Sequence, residues 1–180
     1  MDQTVNVWNV WSKDQKKARI FKCHNAAIKD VRWSPQGLSL LSCGYDCTSR
    51  LVDVEKGSET QLFKEDQVVE TIRFHPKDSS LFLSGGSKGI FRLWDTRCNK
   101  VVHEYVKGLG PILDMEFSAD GKQFISSTDT SRSNISENSI IVWDVSRQVP
   151  LSNQVNFNPN WKVKSSFAVF CSVMHVIPMY

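Results

Sequence analysis

Ile90-Phe91-Arg92-Leu93-Trp94-Asp95 is the stretch whose reading decides the fold. Its β-branched and aromatic residues predict a β-strand, with Ile90, Arg92 and Trp94 on one face and Phe91 and Leu93 on the other. The turn Gly85-Gly86-Ser87-Lys88-Gly89 leads into it, and the apolar run Leu81-Phe82-Leu83 lies before that turn. By itself this is one hairpin.

The same grammar recurs. Upstream, Thr4-Val5-Asn6-Val7-Trp8-Asn9 carries Asn9 where Asp95 stands, and Thr48-Ser49-Arg50-Leu51-Val52-Asp53 keeps the Asp but has Val52 in the Trp position. Downstream comes Ser139-Ile140-Ile141-Val142-Trp143-Asp144. Trp8, Val52, Trp94 and Trp143 are 44, 42 and 49 residues apart. A second anchor repeats out of phase: Val31-Arg32-Trp33-Ser34-Pro35, Ile72-Arg73-Phe74-His75-Pro76 and Met115-Glu116-Phe117-Ser118-Ala119, with aromatic positions 41 and 43 apart. Two independent anchors holding a period near ~40–45 residues predict four-stranded units repeated along the chain.

On these motifs the chain resembles the WD-repeat (WD40) family, whose repeats end in Trp-Asp and build β-propeller blades. The likeness covers residues 1–155. Within the family, the runs Thr71–Asp78 and Ile125–Asp129 look most like a branch related to pre-mRNA processing. The fold expected is all-β: a partial WD40 β-propeller of three complete four-stranded blades plus a half blade, not closed into a ring. Residues 156–180 contain no Trp-Asp and no period, and are expected to be a tail foreign to the repeat. The expectation is therefore a fragment of a larger propeller with open blade faces.

Composition narrows the classes. The chain has 180 residues, 41% hydrophobic and 23% charged, which is ordinary for a globular protein. A net charge of +3 is too small to signal nucleic-acid or membrane binding. No signal peptide is legible at Met1-Asp2-Gln3-Thr4, and the apolar run 167–180 is short for a span and broken by Ser172, His175 and Pro178. Five scattered cysteines, Cys23, Cys43, Cys47, Cys98 and Cys171, suit reduced intracellular thiols. By resemblance the nucleus is favoured over the cytoplasm.

The second repeat carries the candidate chemistry. His24 precedes its first strand, Ser42 ends the second, and Asp46 sits in the turn before Thr48. The resemblance implies that His24, Ser42 and Asp46 form a buried structural network, which in other repeats the Trp completes. Two functional readings compete. Asp, His and Ser imitate a hydrolase triad, but no nucleophile elbow or oxyanion hole is signalled around Ser42. Cys43 and Cys47 near His24 imitate a metal site, but lack the paired spacing of structural zinc. In the third repeat, Lys88 stands in the Asp position and Glu65-Asp66 in the Gly-His position. That blade is expected to lose its network and to rely on apolar packing.

The expected sites are therefore structural: Trp8, Val52, Asp53, Trp94, Asp95, Trp143 and Asp144 as repeat-end anchors, with no catalytic, metal or cofactor residue. Partner binding is assigned to Tyr45, Arg50, Lys88 and Arg92 on turns and strand edges, because Tyr and Arg often dominate interface energy. The function expected is a non-enzymatic protein-interaction scaffold in a nuclear ribonucleoprotein or pre-mRNA splicing complex. Its partners would be other proteins, with RNA contacted indirectly and neither a membrane nor a small-molecule substrate involved. The alternative is a propeller that binds RNA directly through Arg32, Arg50, Arg73 and Arg92. A propeller-based enzyme is the weaker third reading.

Overall fold

The computed structural model describes residues 3–9, 11, 13, 17–108, 110–129, 138–151 and 155–157. Their regular structure is all β. Strands β1 (Val5–Trp8) and β2 (Lys17–Phe21) form a two-stranded sheet, blade 1. Blade 2 comprises β3 (Ile28–Trp33), β4 (Ser39–Gly44), β5 (Thr48–Asp53) and β6 (Ser58–Lys64). Blade 3 comprises β7 (Val69–Phe74), β8 (Leu81–Gly86), β9 (Ile90–Asp95) and β10 (Lys100–Val106). Blade 4 has β11 (Ile112–Phe117), β12 (Gln123–Asp129), β13 (Asn138–Asp144), β14 (Val149–Pro150) and β15 (Val155–Phe157). Every pairing is antiparallel and joins strands in chain order, except that β14 and β15 both pair with β13.

One boundary differs from expectation: Asn156 and Phe157, expected in the tail, lie in β15 and pair with Ser139 and Asn138. The described parts of the outer edge of blade 4 are Val149–Pro150 and Val155–Phe157. Residues 158–180, and the inserted loop 130–137, lie outside the described residues.

The repeat-end Asp has one local task in all three full blades. Asp53 Oδ1 accepts from Lys56 N at 2.9 Å, Asp95 Oδ1 from Arg97 N at 2.8 Å, and Asp144 Oδ1 from Ser146 N at 2.9 Å. Four residues after each Asp the backbone turns left-handed, at Gly57 (φ 76°), Asn99 (φ 55°) and Gln148 (φ 58°). The Asp side chain satisfies the turn's amides while the left-handed residue aims the next strand back along the sheet.

Packing follows from register. The residues paired as Leu40↔Val52, Phe82↔Trp94 and Phe124↔Trp143 are equivalent, and each pair is buried against the blade before it. Phe82 and Trp94 stack at 6.2 Å, as Phe124 and Trp143 do at 5.8 Å. The outer strand of the preceding blade then supplies an aromatic edge. Phe63 meets Trp94 at 5.4 Å and Tyr105 meets Trp143 at 6.0 Å, both T-shaped. Each blade thus presses a leading face onto the trailing face of its predecessor, and the first strands β3, β7 and β11 lie side by side. Such nearest-neighbour burial is how a repeat protein builds a continuous core. The described blades form an open series, not a closed ring.

Candidate functional site: buried polar relays and an ionic rim

In blade 2, His24 Nδ1 lies 3.0 Å from both carboxylate oxygens of Asp46, and Nε2 lies 2.8 Å from Ser42 Oγ. The carboxylate can only accept, so Nδ1 carries the proton and Ser42 donates its hydroxyl to Nε2. Asp46 also accepts from Asn25 N, Thr48 N and Thr48 Oγ1. Burial alone would raise the Asp46 carboxyl; the bonds from Thr48, His24 and Asn25 outweigh it and hold the group below its usual value. The geometry copies a hydrolytic triad, but Ser42 is 1% exposed and sits inside β4. A substrate carbonyl has no approach to a hydroxyl in that position. Val52 fills the indole position and packs with Val5, Phe21 and Leu40.

Blade 3 was expected to have lost its network, and the structure corrects this. Trp94 Nε1 donates to Ser84 Oγ at 3.0 Å, and Ser84 donates to Glu65 Oε1 at 2.5 Å. Glu65, and not Asp66 as the sequence pattern implied, takes the place of the imidazole, with a carboxylate whose side chain is 0% exposed while that of Asp66 is 58% exposed. The second oxygen of Glu65 accepts from Arg92 Nη1 at 3.0 Å and from Gln67 Nε2 at 3.1 Å. Gln67 also bonds the turn at Lys88 N and Ile90 O, replacing the missing Asp. The relay survives because a buried anion with three donors is satisfied as fully as an imidazole with two partners. The sequence signal was available: an acid just before the first strand, with an Arg in the polar slot of the third. In blade 4, Trp143 Nε1 donates to Ser126 Oγ at 2.9 Å, and Thr128 and Ser139 share a bond of 2.8 Å.

The four expected partner-binding residues divide into two kinds. Tyr45 is 47% exposed, with Lys29 Nζ 4.7 Å above its ring. The Lys88 side chain is 54% exposed and reaches Asp66 at 3.0 Å. Arg50 and Arg92 were expected on exposed edges, and here the structure differs: both side chains are only 12% exposed. Arg50 is held by Asp46 and Glu59, and Arg92 by Glu65, Asp66 and Glu104. Their slot faces the interior on the leading side of the sheet, where an unpaired cation would be costly. Asp66 in turn is driven down to about 2 by bonds from Lys88 and then Arg92. A cleft of about 340 Å³ opens beside Arg50, lined also by Asn25, Thr48, Leu62 and Lys64.

Sequence reasoning missed the role of Arg73. Its guanidinium reaches Asp30 Oδ2 at 2.7 Å in blade 2, and Asp114 Oδ1 at 2.6 Å and Glu116 Oε2 at 3.0 Å in blade 4. Asp30 also accepts from Ile72 N and Thr71 Oγ1 across the blade boundary. One side chain of blade 3 therefore ties three blades along their first strands. Burial would lower the Arg73 guanidinium, but Asp30, Asp114 and Glu116 together raise it. Further out, Arg19 donates to Glu55 O at 2.8 Å, Gln61 to Thr96 O, and Tyr105 to Val145 O, each linking an outer strand to the next blade's turn.

Among the described residues, no group of three or more His, Cys, Asp or Glu is placed to hold a metal ion, and no helix could cross a membrane. Cys23, Cys43, Cys47 and Cys98 are all unpaired. Burial, with Asp30 nearby, pushes the Cys43 thiol well up.

The family model described as "WD domain, G-beta repeat" matches residues 15–53. Mouse WD repeat-containing protein 25 is 37% identical over 155 residues, which is 86% of this chain and 29% of that protein. Mouse pre-mRNA-processing factor 17 is 29% identical over 146 residues, 80% of this chain and 24% of that protein. The zebrafish (Danio rerio) denticleless protein homolog is 31% identical over 97 residues, 53% of this chain and 15% of that protein. The chain spans less than a third of the length of each. With the doubly anchored period, the stacked antiparallel blades and these similarities together, the chain belongs to the WD-repeat family.

Proposed function

We propose that this protein is a non-enzymatic scaffold that docks other proteins, within a nuclear assembly concerned with pre-mRNA processing. One observation carries the first part: the groups that could do chemistry are committed to internal bonds. His24, Ser42 and Asp46 satisfy one another, Glu65 satisfies Ser84 and Arg92, and Arg73 is enclosed by three carboxylates. The rim turns are left to meet partners, with Tyr45 and Lys88 their accessible polar groups. Tyr45 offers a large ring held in place by Lys29, which is itself paired with Glu70 at 2.7 Å, so little side-chain entropy is lost on binding. The similarity to pre-mRNA-processing factor 17 supports the choice of assembly.

Direct RNA binding fares worse. Arg32, Arg50, Arg73 and Arg92 all face carboxylates within 3.5 Å, so they form no free basic stripe for phosphates. The test is affinity capture from nuclear extract with the tagged chain and with the Tyr45→Ala/Lys88→Glu variant, each with and without ribonuclease. A ribonuclease-resistant set of proteins, lost in the variant, is the expected result. Capture that vanishes with ribonuclease, or an unchanged set in the variant, would overturn the reading.

A further inference from the structure

The outer strands β6 of blade 2 and β10 of blade 3 hold the same place in their blades, and among the described residues each pairs along one edge only, with β5 and with β9. Register aligns them residue by residue. Ser58 and Lys100 pair with the repeat-end Asp53 and Asp95, Thr60 and Val102 are skipped at a bulge, and Phe63 and Tyr105 are the buried rings. Both strands expose their first three residues and their last. The chemistry exposed is not the same. Where β6 presents Glu59, Thr60 and Lys64, β10 presents Val101, Val102 and Val106, at 40%, 44% and 59% exposure.

Charged and polar groups on an outer strand keep stray strands from pairing with its unmatched amides and carbonyls, and β6 has that protection. β10 lacks it, and valines favour a strand neighbour. The bulge is common to both strands and does not account for the difference. Nor does the core, since the three valines belong to none of the buried clusters.

On its inner edge β10 shows which neighbour suits it. β9 sets Asp95 opposite Lys100, Trp94 opposite Val101 and Ile90 opposite Val106. Lys100 and Lys107 bracket the valines; both are exposed, and neither forms an ion pair among the described residues. Glu104, between them, is already held by Arg92 at 2.9 Å. The outer edge is therefore apolar in the middle and cationic at both ends. Those ends disfavour a second copy of the chain. An antiparallel copy matching Val101 to Val106 sets Lys100 against Lys107, and like charges directly opposite are destabilising.

We propose that the outer edge of β10 is a docking site for an extended segment of another protein, aliphatic in its middle and carrying a carboxylate at each end. The segment adds a strand to blade 3 by main-chain hydrogen bonds. Its aliphatic residues rest beside Val101 and Val106, and its carboxylates meet Lys100 and Lys107. Neither Tyr45 nor Lys88 takes part, so loss of this surface leaves the rim turns intact.

The probe is a dye-labelled peptide of sequence Glu-Val-Thr-Val-Thr-Val-Glu, whose outer valines are spaced as Ile90 and Trp94 are in β9. Added to the full chain, it is expected to raise the fluorescence anisotropy saturably and to slow amide exchange in Lys100–Val106 but not in Ser58–Lys64. The same peptide with lysine at both ends is expected to show neither effect. The variant Val101→Glu/Val102→Thr/Val106→Lys gives β10 the residues that β6 carries at those places, and should lose both effects at an unchanged melting temperature. Val106→Lys alone should lose most of the binding, which keeps the test decisive if the triple variant misfolds. Absence of saturable binding, binding indifferent to the end charges or to Val106→Lys, or equal slowing in β6 overturns the proposal. So does a dimer in sedimentation that Val106→Lys dissolves, since a second copy then occupies the edge.

Discussion

Arg73 Nη1 in blade 3 lies 2.7 Å from Asp30 Oδ2 in blade 2, although 43 residues separate the two in the chain. Arg73→Met would keep most of the stem's packing and remove the charge, leaving Asp30 with only the more exposed Arg32 as its cation. Asp114 and Glu116 are half exposed and recover water, so most of the loss comes from Asp30. A loss of about 2–4 kcal/mol is expected from urea unfolding, toward the lower end for a broken buried pair. Asp30→Asn should cost less, since the amide oxygen still accepts from Ile72 N.

The carboxylate relay of blade 3 predicts a different pattern. Glu65→Ala takes the acceptor from the Ser84 hydroxyl, the Gln67 amide and one Arg92 N–H, while Asp66 and Glu104 still hold the guanidinium, and should destabilise by roughly 1–3 kcal/mol. Trp94→Ala should cost about 3–5 kcal/mol, as for large buried aromatics. Because Trp94 and Glu65 meet through Ser84, the double variant should lose less than the sum of the single losses. An additive double variant would show that the two ends of the relay act separately.

Acid should weaken the fold through Asp46 and Asp66. Both carboxyls sit below their ordinary values in the folded chain, Asp66 at about 2. The unfolded chain binds those protons first, near pH ~4, so the stabilisation is complete above that pH and fades as pH falls toward ~2. Thermal melts between pH 6 and 2 should show this decline. Asp46→Asn should flatten part of the slope while lowering the melting temperature at pH 6.

Cys47 adopts φ 58°, a left-handed conformation, in the turn between β4 and β5. Glycine holds the equivalent place in blade 3, at Gly89. Cys47→Gly should therefore stabilise by about 0.5–1 kcal/mol, because it removes the Cβ clash at some entropic cost. Cys47→Ala should give no such gain. Equal melting temperatures for the two would show that the strain is negligible.

What the sequence revealed was whatever repeats. The strands, the Trp and Asp anchors, and the His24-Ser42-Asp46 grouping are all legible because position within the period fixes them. What it hid was which groups each side chain meets in space. Arg50 and Arg92 read as exposed because alternation gives a face but not the carboxylates gathered on it, Asp46 and Glu59 around one and Glu65, Asp66 and Glu104 around the other. The Glu65 relay was missed because a substitution at one corner was read as deletion of the whole network. Arg73 looked like one more arginine in a polar slot, since its three carboxylates lie 41 to 43 residues away.

The direction in which the blades lean has a bearing on synthesis. Trp94 and Trp143 each bury against the blade that precedes them in the chain, and the N-terminal part of a nascent polypeptide emerges first. When either indole leaves the ribosome, the surface that receives it has already been made. Growth can then proceed by adding one sheet at a time to a finished template, with the newest trailing face the one still waiting for cover.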